Sequence, residues 1–198
     1  MEVVIIKYNA GNIYSVVHAL KRLNIEPIVS DDPEIILKAD KIIFPGQGEA
    51  HSTMNYLRNH KLDILIKELK QPVLGICIGM QLMCQHSEEG DTDCLGIFNT
   101  EVKRFIPIHH EEKVPHMGWN TIYDTKSLLY DGIKNPEFVY FVHSYYVPIC
   151  NYTIAKTDYI QSFSSSLQKD NYYATQFHPE KSGRIGEKLL TNFLNINL

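Results

Sequence analysis

Gly75-Ile76-Cys77-Ile78-Gly79-Met80-Gln81 follows directly on the short apolar run Pro72-Val73-Leu74. Val73–Cys77 reads as a strand and Gly79–His86 as the helix after it, so the cysteine falls on a strand-to-helix turn. Gly75 and Gly79 remove side chains that would crowd such a bend. The thiol is then presented where backbone N–H groups and the helix dipole favour thiolate. The same free N–H groups can hold an oxyanion. Far downstream comes Gln176-Phe177-His178-Pro179-Glu180, a strand ending in a histidine with a carboxylate two residues on. A cysteine, a histidine and an acid are the parts of an activated thiol nucleophile.

Working outward, the pattern around the elbow repeats. Val3–Lys7 is apolar throughout, as a buried strand is, and Gly11 marks the turn after it. Ile13–Leu23 carries apolar residues three and four apart, a helix, and Glu26–Val29 reads as a strand. Asp32-Pro33 opens a helix with an N-cap acid and a first-position proline. Lys41–Phe44 is a third strand, ending in Pro45-Gly46-Gln47-Gly48; residues 50–69 look helical with a break near Asn59. Beyond residue 94 the pattern turns β-like and Tyr-rich, at Thr100–Phe105, Asn120–Tyr123, Phe138–Val147, Tyr152–Ala155 and Tyr173–Phe177. Gly183–Leu194 closes as an amphipathic helix. The expected fold is three-layer α/β: a mostly parallel central sheet flanked by helices, with an antiparallel β-rich segment in the C-terminal half. With no repeat, linker or low-complexity tract, residues 1–198 read as one domain.

Composition narrows the function classes. The 198 residues suffice for a domain that buries roughly 70% of its unfolded surface. A net charge of −4 argues against nucleic acid or an acidic membrane surface as partner. No apolar run approaches the roughly 18 residues needed to span a bilayer, and the start Met1-Glu2-Val3 has no basic leader, so a cytoplasmic location is expected. Cys77, Cys84, Cys94 and Cys150 form no CxxC pair, and no metal site or cofactor is expected.

Each motif has a plainer reading. Cys77 alone could be a small core residue, Glu180 a surface acid, and His178 a strand-end cap. Cys84, seven residues after Cys77, should face the core two turns along the same helix. Pro45-Gly46-Gln47-Gly48 could be an ordinary turn, or backbone close enough to a substrate to lend an oxyanion N–H beside that of Ile78. Tyr8-Asn9-Ala10-Gly11-Asn12 is too poor in glycine for a dinucleotide fingerprint and reads as a shaped loop. Val114-Pro115-His116-Met117-Gly118-Trp119-Asn120 holds the sole tryptophan, which should anchor the β-rich half. His143-Ser144-Tyr145-Tyr146 is either a core cluster or a pocket rim whose backbone takes a carboxylate.

Taken together, YNAGNIYSV at 8–16, FPGQGEA at 44–50, GICIGMQ at 75–81, VPHMGWN at 114–120, YFVHSYY at 140–146 and QFHPEKSG at 176–183 give the chain a collinear resemblance to the triad-type class I glutamine amidotransferases. The VPHMGWN and FVHSYY segments narrow it to the branch that serves histidine biosynthesis. The resemblance implies Cys77 as nucleophile with His178 and Glu180 completing the triad. It implies Gln81 and Glu89 as glutamine contacts, Glu89 at the α-amino group unless Glu88 takes that place. The backbone at Ser144 and Tyr145 would receive the α-carboxylate, and Gly46, Gly48 and Ile78 would frame the oxyanion. Gln47 stands where the family more often has valine, and Ile78 where it has leucine. The implied reaction is hydrolysis of glutamine through a γ-glutamyl thioester. Its ammonia would pass to a partner cyclase subunit, a (β/α)8 barrel making imidazole glycerol phosphate and an aminoimidazole carboxamide ribotide. Tyr140 and Lys181 would gate or dock at that interface. The rivals are an amidotransferase serving another synthase, a freestanding cysteine hydrolase and a catalytically silent scaffold.

Overall fold

The computed structural model describes residues 1–8 and 13–197. The turn expected at Gly11, and the loop reading of Asn9–Asn12, lie outside the described residues. The central sheet is built from β1 (Val3–Ile6), β2 (Ile28–Ser30), β3 (Lys41–Phe44), β4 (Val73–Ile76), β11 (Thr153–Asp158), β12 (Ser162–Lys169) and β13 (Tyr172–Thr175). Its order is β11-β12-β13-β4-β3-β1-β2. The pairs from β2 through β1, β3 and β4 to β13 are parallel. The β13–β12 and β12–β11 pairs are antiparallel.

The unbroken apolar runs follow from helices covering both faces. Successive strand residues point to opposite sides. Val4, Ile6, Ile42 and Phe44 pack with Ile36 of α2 (Pro33–Lys38), Met54 and Leu57 of α3 (Ala50–Asn59) and Ile66 of α4 (Leu62–Glu68). Val3, Ile5, Ile43, Leu74 and Ile76 pack on the other side with Leu20 of α1 (Ile13–Arg22) and Leu189, Leu190 and Phe193 of α6 (Gly183–Asn195). This is the expected three-layer arrangement. Asp32 caps α2 by accepting the Glu34 N–H at 2.8 Å, ahead of Pro33. The break between α3 and α4 falls at His60 and Lys61, the latter at φ 56°, one residue past the expected place.

The remaining strands are β5 (His86–Ser87), β6 (Thr92–Asp93), β7 (Glu101–Arg104), β8 (His116–Ile122), β9 (Glu137–His143) and β10 (Tyr145–Tyr146). β8 and β9 form an antiparallel ribbon with His116 opposite His143 and Trp119 opposite Tyr140.

Three expectations are corrected. The helix after the elbow, α5, runs only from Ile78 to Leu82. The loop at 95–98 ends it, because the N–H groups of Leu95, Gly96 and Phe98 take the carbonyls of Leu82, Cys84 and Met83. Cys84 is therefore buried but off the helix. Trp119 anchors no core: it is 57% exposed, beside exposed Met117 and Phe138. β12 went unread because Ser164, Ser165 and Ser166 give it no apolar alternation. The Ser166 hydroxyl bonds the Tyr130 hydroxyl and Ser164 donates to the Pro148 carbonyl at 2.8 Å, which lets polar side chains line a buried strand.

Candidate active site

Cys77 sits between β4 and α5 at φ 51° and ψ −108°. Such a backbone costs a non-glycine residue about 1–3 kcal/mol and persists only where its surroundings impose it. The imposition is visible. The Cys77 N–H extends the β4–β13 ladder by donating to Thr175 O at 2.7 Å, so pairing runs up to the cysteine before the chain turns. The loop after β3 then closes on the turn, backbone against backbone. A Cβ on Gly46 would lie 1.8 Å from Ile76 O, and one on Gly79 would lie 2.3 Å from Phe44 O. Glycine at these two places allows the Pro45–Gly48 loop to lie beside the sulfur. With only five residues α5 carries a small dipole, so the stronger influence on the Cys77 sulfur is that of its neighbours.

Those neighbours are polar and buried. His178, 1% exposed, holds its Nδ1 2.7 Å from Glu180 Oε1. That contact puts the imidazole proton on Nδ1 and leaves Nε2 free to accept one. Nε2 is buried without a hydrogen-bond partner, and the Cys77 sulfur is the group that acts on it. Burial alone would push the His178 pKa down. The Cys77 sulfur and the Glu180 carboxylate outweigh that and hold it above the ordinary imidazole range. The Cys77 thiol donates to Val142 O at 3.8 Å and receives the Gln176 Nε2–H at 3.6 Å. The segment carrying His178 is stitched to β9. The His178 N–H donates to Tyr140 O at 2.9 Å, the Tyr140 N–H to Ser182 Oγ at 3.0 Å, and Ser182 Oγ–H to His178 O at 2.7 Å.

A cavity of about 350 Å³ opens over Cys77, large enough for an amino-acid substrate. Gly46, Gln47, Gly48, Ile78, Gln81, Glu89, Ser144, Tyr145 and His178 all line it. Gln81 is buried and donates from Nε2 to Tyr145 O at 3.1 Å and to Gln176 Oε1 at 2.9 Å. Glu89 Oε2 accepts the Ala50 N–H at the start of α3, at 2.9 Å. Burial pushes its pKa up, with Glu49 adding and the Ala50 N–H opposing. Glu88 instead turns to the outer edge, accepting the Arg104 N–H at 2.7 Å with Lys103 Nζ 3.5 Å away. Of the two acids, Glu89 is the one that reaches the cavity. Tyr140 and Lys181 do not line it; the Lys181 ammonium lies 5.9 Å from the Tyr140 ring centroid, which in turn stands edge-on to Trp119. Among the described residues no group of three histidines, cysteines or acids could hold a metal ion.

Two residues at the site were not legible beforehand. Gln176 looked like strand filler, yet it bridges Gln81 and Cys77. Tyr8 looked like the start of a loop, yet its buried hydroxyl donates to Pro45 O. Burial and the nearby Cys77 raise its pKa, against the opposing Gln47 backbone. Tyr8 thus ties down the loop beside the elbow. Tyr8→Phe keeps the ring packed on Phe44 and removes the bond to Pro45 O. A stability loss of about 1–2 kcal/mol is expected, read as a drop in Tm of about 2–4 °C per kcal/mol by thermal unfolding. An unchanged Tm would mean that the bond contributes nothing.

Parallel sheet, strained cysteine elbow and His–Glu pair together define a class. Residues 4–196 match the family model described as glutamine amidotransferase class-I, and the chain belongs to that family. Among its relatives is the imidazole glycerol phosphate synthase subunit HisH of Bacteroides thetaiotaomicron, 63% identical over 196 residues, spanning 99% of this chain and 100% of the relative. The protein of the same description from Pectobacterium atrosepticum is 46% identical over 198 residues, with coverage of 99% and 100%. Solved structures agree on the fold. A glutamine amidotransferase superposes with a TM-score of 0.74 at 18% identity, covering 96% of each chain. PurLQS from Thermotoga maritima superposes with a TM-score of 0.67 at 15% identity, covering 98% of this chain and 97% of that one.

Proposed function

We propose that this chain, in the glutamine amidotransferase role its HisH relatives hold, hydrolyses glutamine with Cys77, His178 and Glu180 and hands the ammonia to a cyclase subunit of histidine biosynthesis. The observation that carries the reading is His178, bonded to Glu180 Oε1, lining the same open cavity as Cys77.

The chemistry runs in two halves. His178 Nε2 takes the thiol proton, and the Cys77 sulfur attacks the side-chain amide carbon of glutamine. The oxyanion meets the Ile78 N–H and the Gly46–Gly48 backbone; one such donor is worth about 3–4 kcal/mol in enzymes where it has been removed. His178 returns the proton to the leaving nitrogen, the C–N bond breaks, and ammonia and a γ-glutamyl thioester result. Water, deprotonated by His178, then cleaves the thioester to glutamate and free Cys77. Glu180 stabilises the imidazolium in both halves. Gln81 and Glu89 hold the substrate, Glu89 at the α-amino group, and the Ser144–Tyr145 backbone receives its α-carboxylate. Residues 1–198 act as one domain, without cofactor, in the cytoplasm. Among the described residues no helix is long and apolar enough to cross a membrane.

The cyclase, a (β/α)8 barrel, would dock on the outer face of β8 and β9, where Met117, Trp119 and Phe138 are exposed and Tyr140 lies under Lys181. An apolar patch flanked by a cation–π pair is the kind of surface a protein partner covers. The test is glutamate release from glutamine by the chain alone, then with a cyclase subunit and its nucleotide ligand. Low activity alone with strong stimulation by the liganded cyclase is expected. High activity alone without response would mark a freestanding hydrolase. No turnover in either state would mark a silent module.

A further inference from the structure

We propose that Asn120, His116 and His143 form a one-way hydrogen-bond relay that fixes the Ser144–Tyr145 wall of the cavity, which makes His116 and Asn120 positioning residues for glutamine binding. The inference rests on the glutaminase reading above and adds residues to it.

The relay begins on β8. Asn120 Oδ1 accepts the Thr121 N–H at 2.7 Å, and its Nδ2 donates to Asp158 O at 2.9 Å. These two contacts settle which end of the amide is nitrogen. The same Nδ2 lies 3.2 Å from His116 Nε2, so that ring nitrogen must accept. A neutral imidazole that accepts at Nε2 carries its proton on Nδ1. His116 Nδ1 lies 2.9 Å from His143 Nε2, which therefore also accepts. The His143 proton is then on Nδ1, and it is given to Tyr145 O at 2.7 Å. Every donor meets an acceptor in one order only. A proton added to either ring would set N–H against N–H.

The surroundings suit an uncharged pair. Burial holds both rings down, His116 to about 4 and His143 to about 3; the bond to Tyr145 O opposes this for His143, while His116 and His178 add to it. The rings packed against them, Phe105, Phe141, Tyr159 and Phe163, carry no charge.

The far end of the relay explains its use. Tyr145 O accepts a second bond, from Gln81 Nε2, so both of its lone pairs face into the protein. The cavity wall at Tyr145 therefore offers no carbonyl to repel a carboxylate. Gln81 continues to Gln176, and Gln176 to the Cys77 sulfur. The wall that receives the substrate's acid end and the floor that carries the nucleophile thus share one bonded frame. His116 also occupies the same strand as exposed Met117 and Trp119, so the relay starts directly behind the outer face.

His116→Phe keeps a ring stacked between Phe141 and Tyr159 and removes both nitrogens. His116→Asn restores a donor near the position of Nδ1. In the complex with the cyclase, His116→Phe should raise KM for glutamine about tenfold while kcat stays within about threefold. Alkylation of Cys77 by iodoacetamide should be unchanged, and His116→Asn should recover most of the KM. An unmoved KM, a fall in kcat and alkylation together, or an Asn variant no better than Phe would each overturn the proposal. A second measurement needs neither variant nor turnover. Nitrogen-15 shifts of labelled histidines in the wild-type chain at pH 7 should report Nδ1–H tautomers at both His116 and His143, and Nε2–H at either would overturn the relay. If the wild-type complex failed to hydrolyse glutamine, the glutaminase reading would fall while these shifts still judged the relay.

Discussion

Cys77→Ala should abolish glutamine hydrolysis, lowering kcat by at least about 10⁴-fold, while leaving the affinity for the cyclase unchanged. The size follows from the site. Among the described residues that line the cavity Cys77 carries the one thiol; Glu89 is bonded to the Ala50 N–H and His143 is committed to Tyr145 O. The expected sparing of affinity follows from topology, because Cys77 sits on the turn after β4 and the outer face belongs to β8 and β9. The assay pairs glutamate release with a titration of the variant against the cyclase. Residual glutamate release within tenfold of wild type would remove Cys77 from the mechanism. Loss of binding along with activity would show that the elbow shapes the interface too.

The second large effect is expected from Gly46→Ala, which adds one methyl group. Its Cβ would stand 1.8 Å from Ile76 O and 2.9 Å from the Cys77 Cβ, so backbone must move. Overpacking of this kind costs about 1–3 kcal/mol, and Tm should fall accordingly. The activity loss should be larger than the stability loss explains. In the proposed mechanism, moving the Pro45–Gly48 loop withdraws its N–H groups from the oxyanion, worth about 10²–10³ in kcat for one donor. Measured at a temperature where the variant is fully folded, kcat should fall by about that factor with KM little changed. A variant that loses Tm but keeps kcat within a few-fold would show that this loop is structural and that the oxyanion is held by Ile78 alone.

The Cys77 elbow and the His178–Glu180 contact were legible because their signals are local. Glycine spacing around Cys77 and the two-residue step from His178 to Glu180 are written in consecutive letters. The parallel half of the sheet was legible for the same reason, since strands covered on both faces read as unbroken apolar runs. What escaped depends on distant partners. β12 is a buried strand of serines in which Ser166 bonds Tyr130 and Ser164 donates to Pro148, neighbours that no periodicity announces, while Ser165 Oγ is buried without a partner. The short α5 ends where residues 95–98 claim its carbonyls. Tyr8 and Gln176 matter through bonds to Pro45 and Cys77, respectively 37 and 99 positions away. Trp119 misled because a lone tryptophan is commonly a core residue, whereas here β8 turns it outward on the odd side of the strand while His116 and Ile122 turn in.

Tyr140 separates two kinds of inheritance. Its main chain holds His178, through the His178 N–H on its carbonyl and its own N–H on Ser182 Oγ. Its side chain lies on the outer face under Lys181. Main-chain bonds do not depend on which side chain the residue carries. A lineage can therefore re-tailor that face, residue by residue, without ever letting go of the histidine behind it.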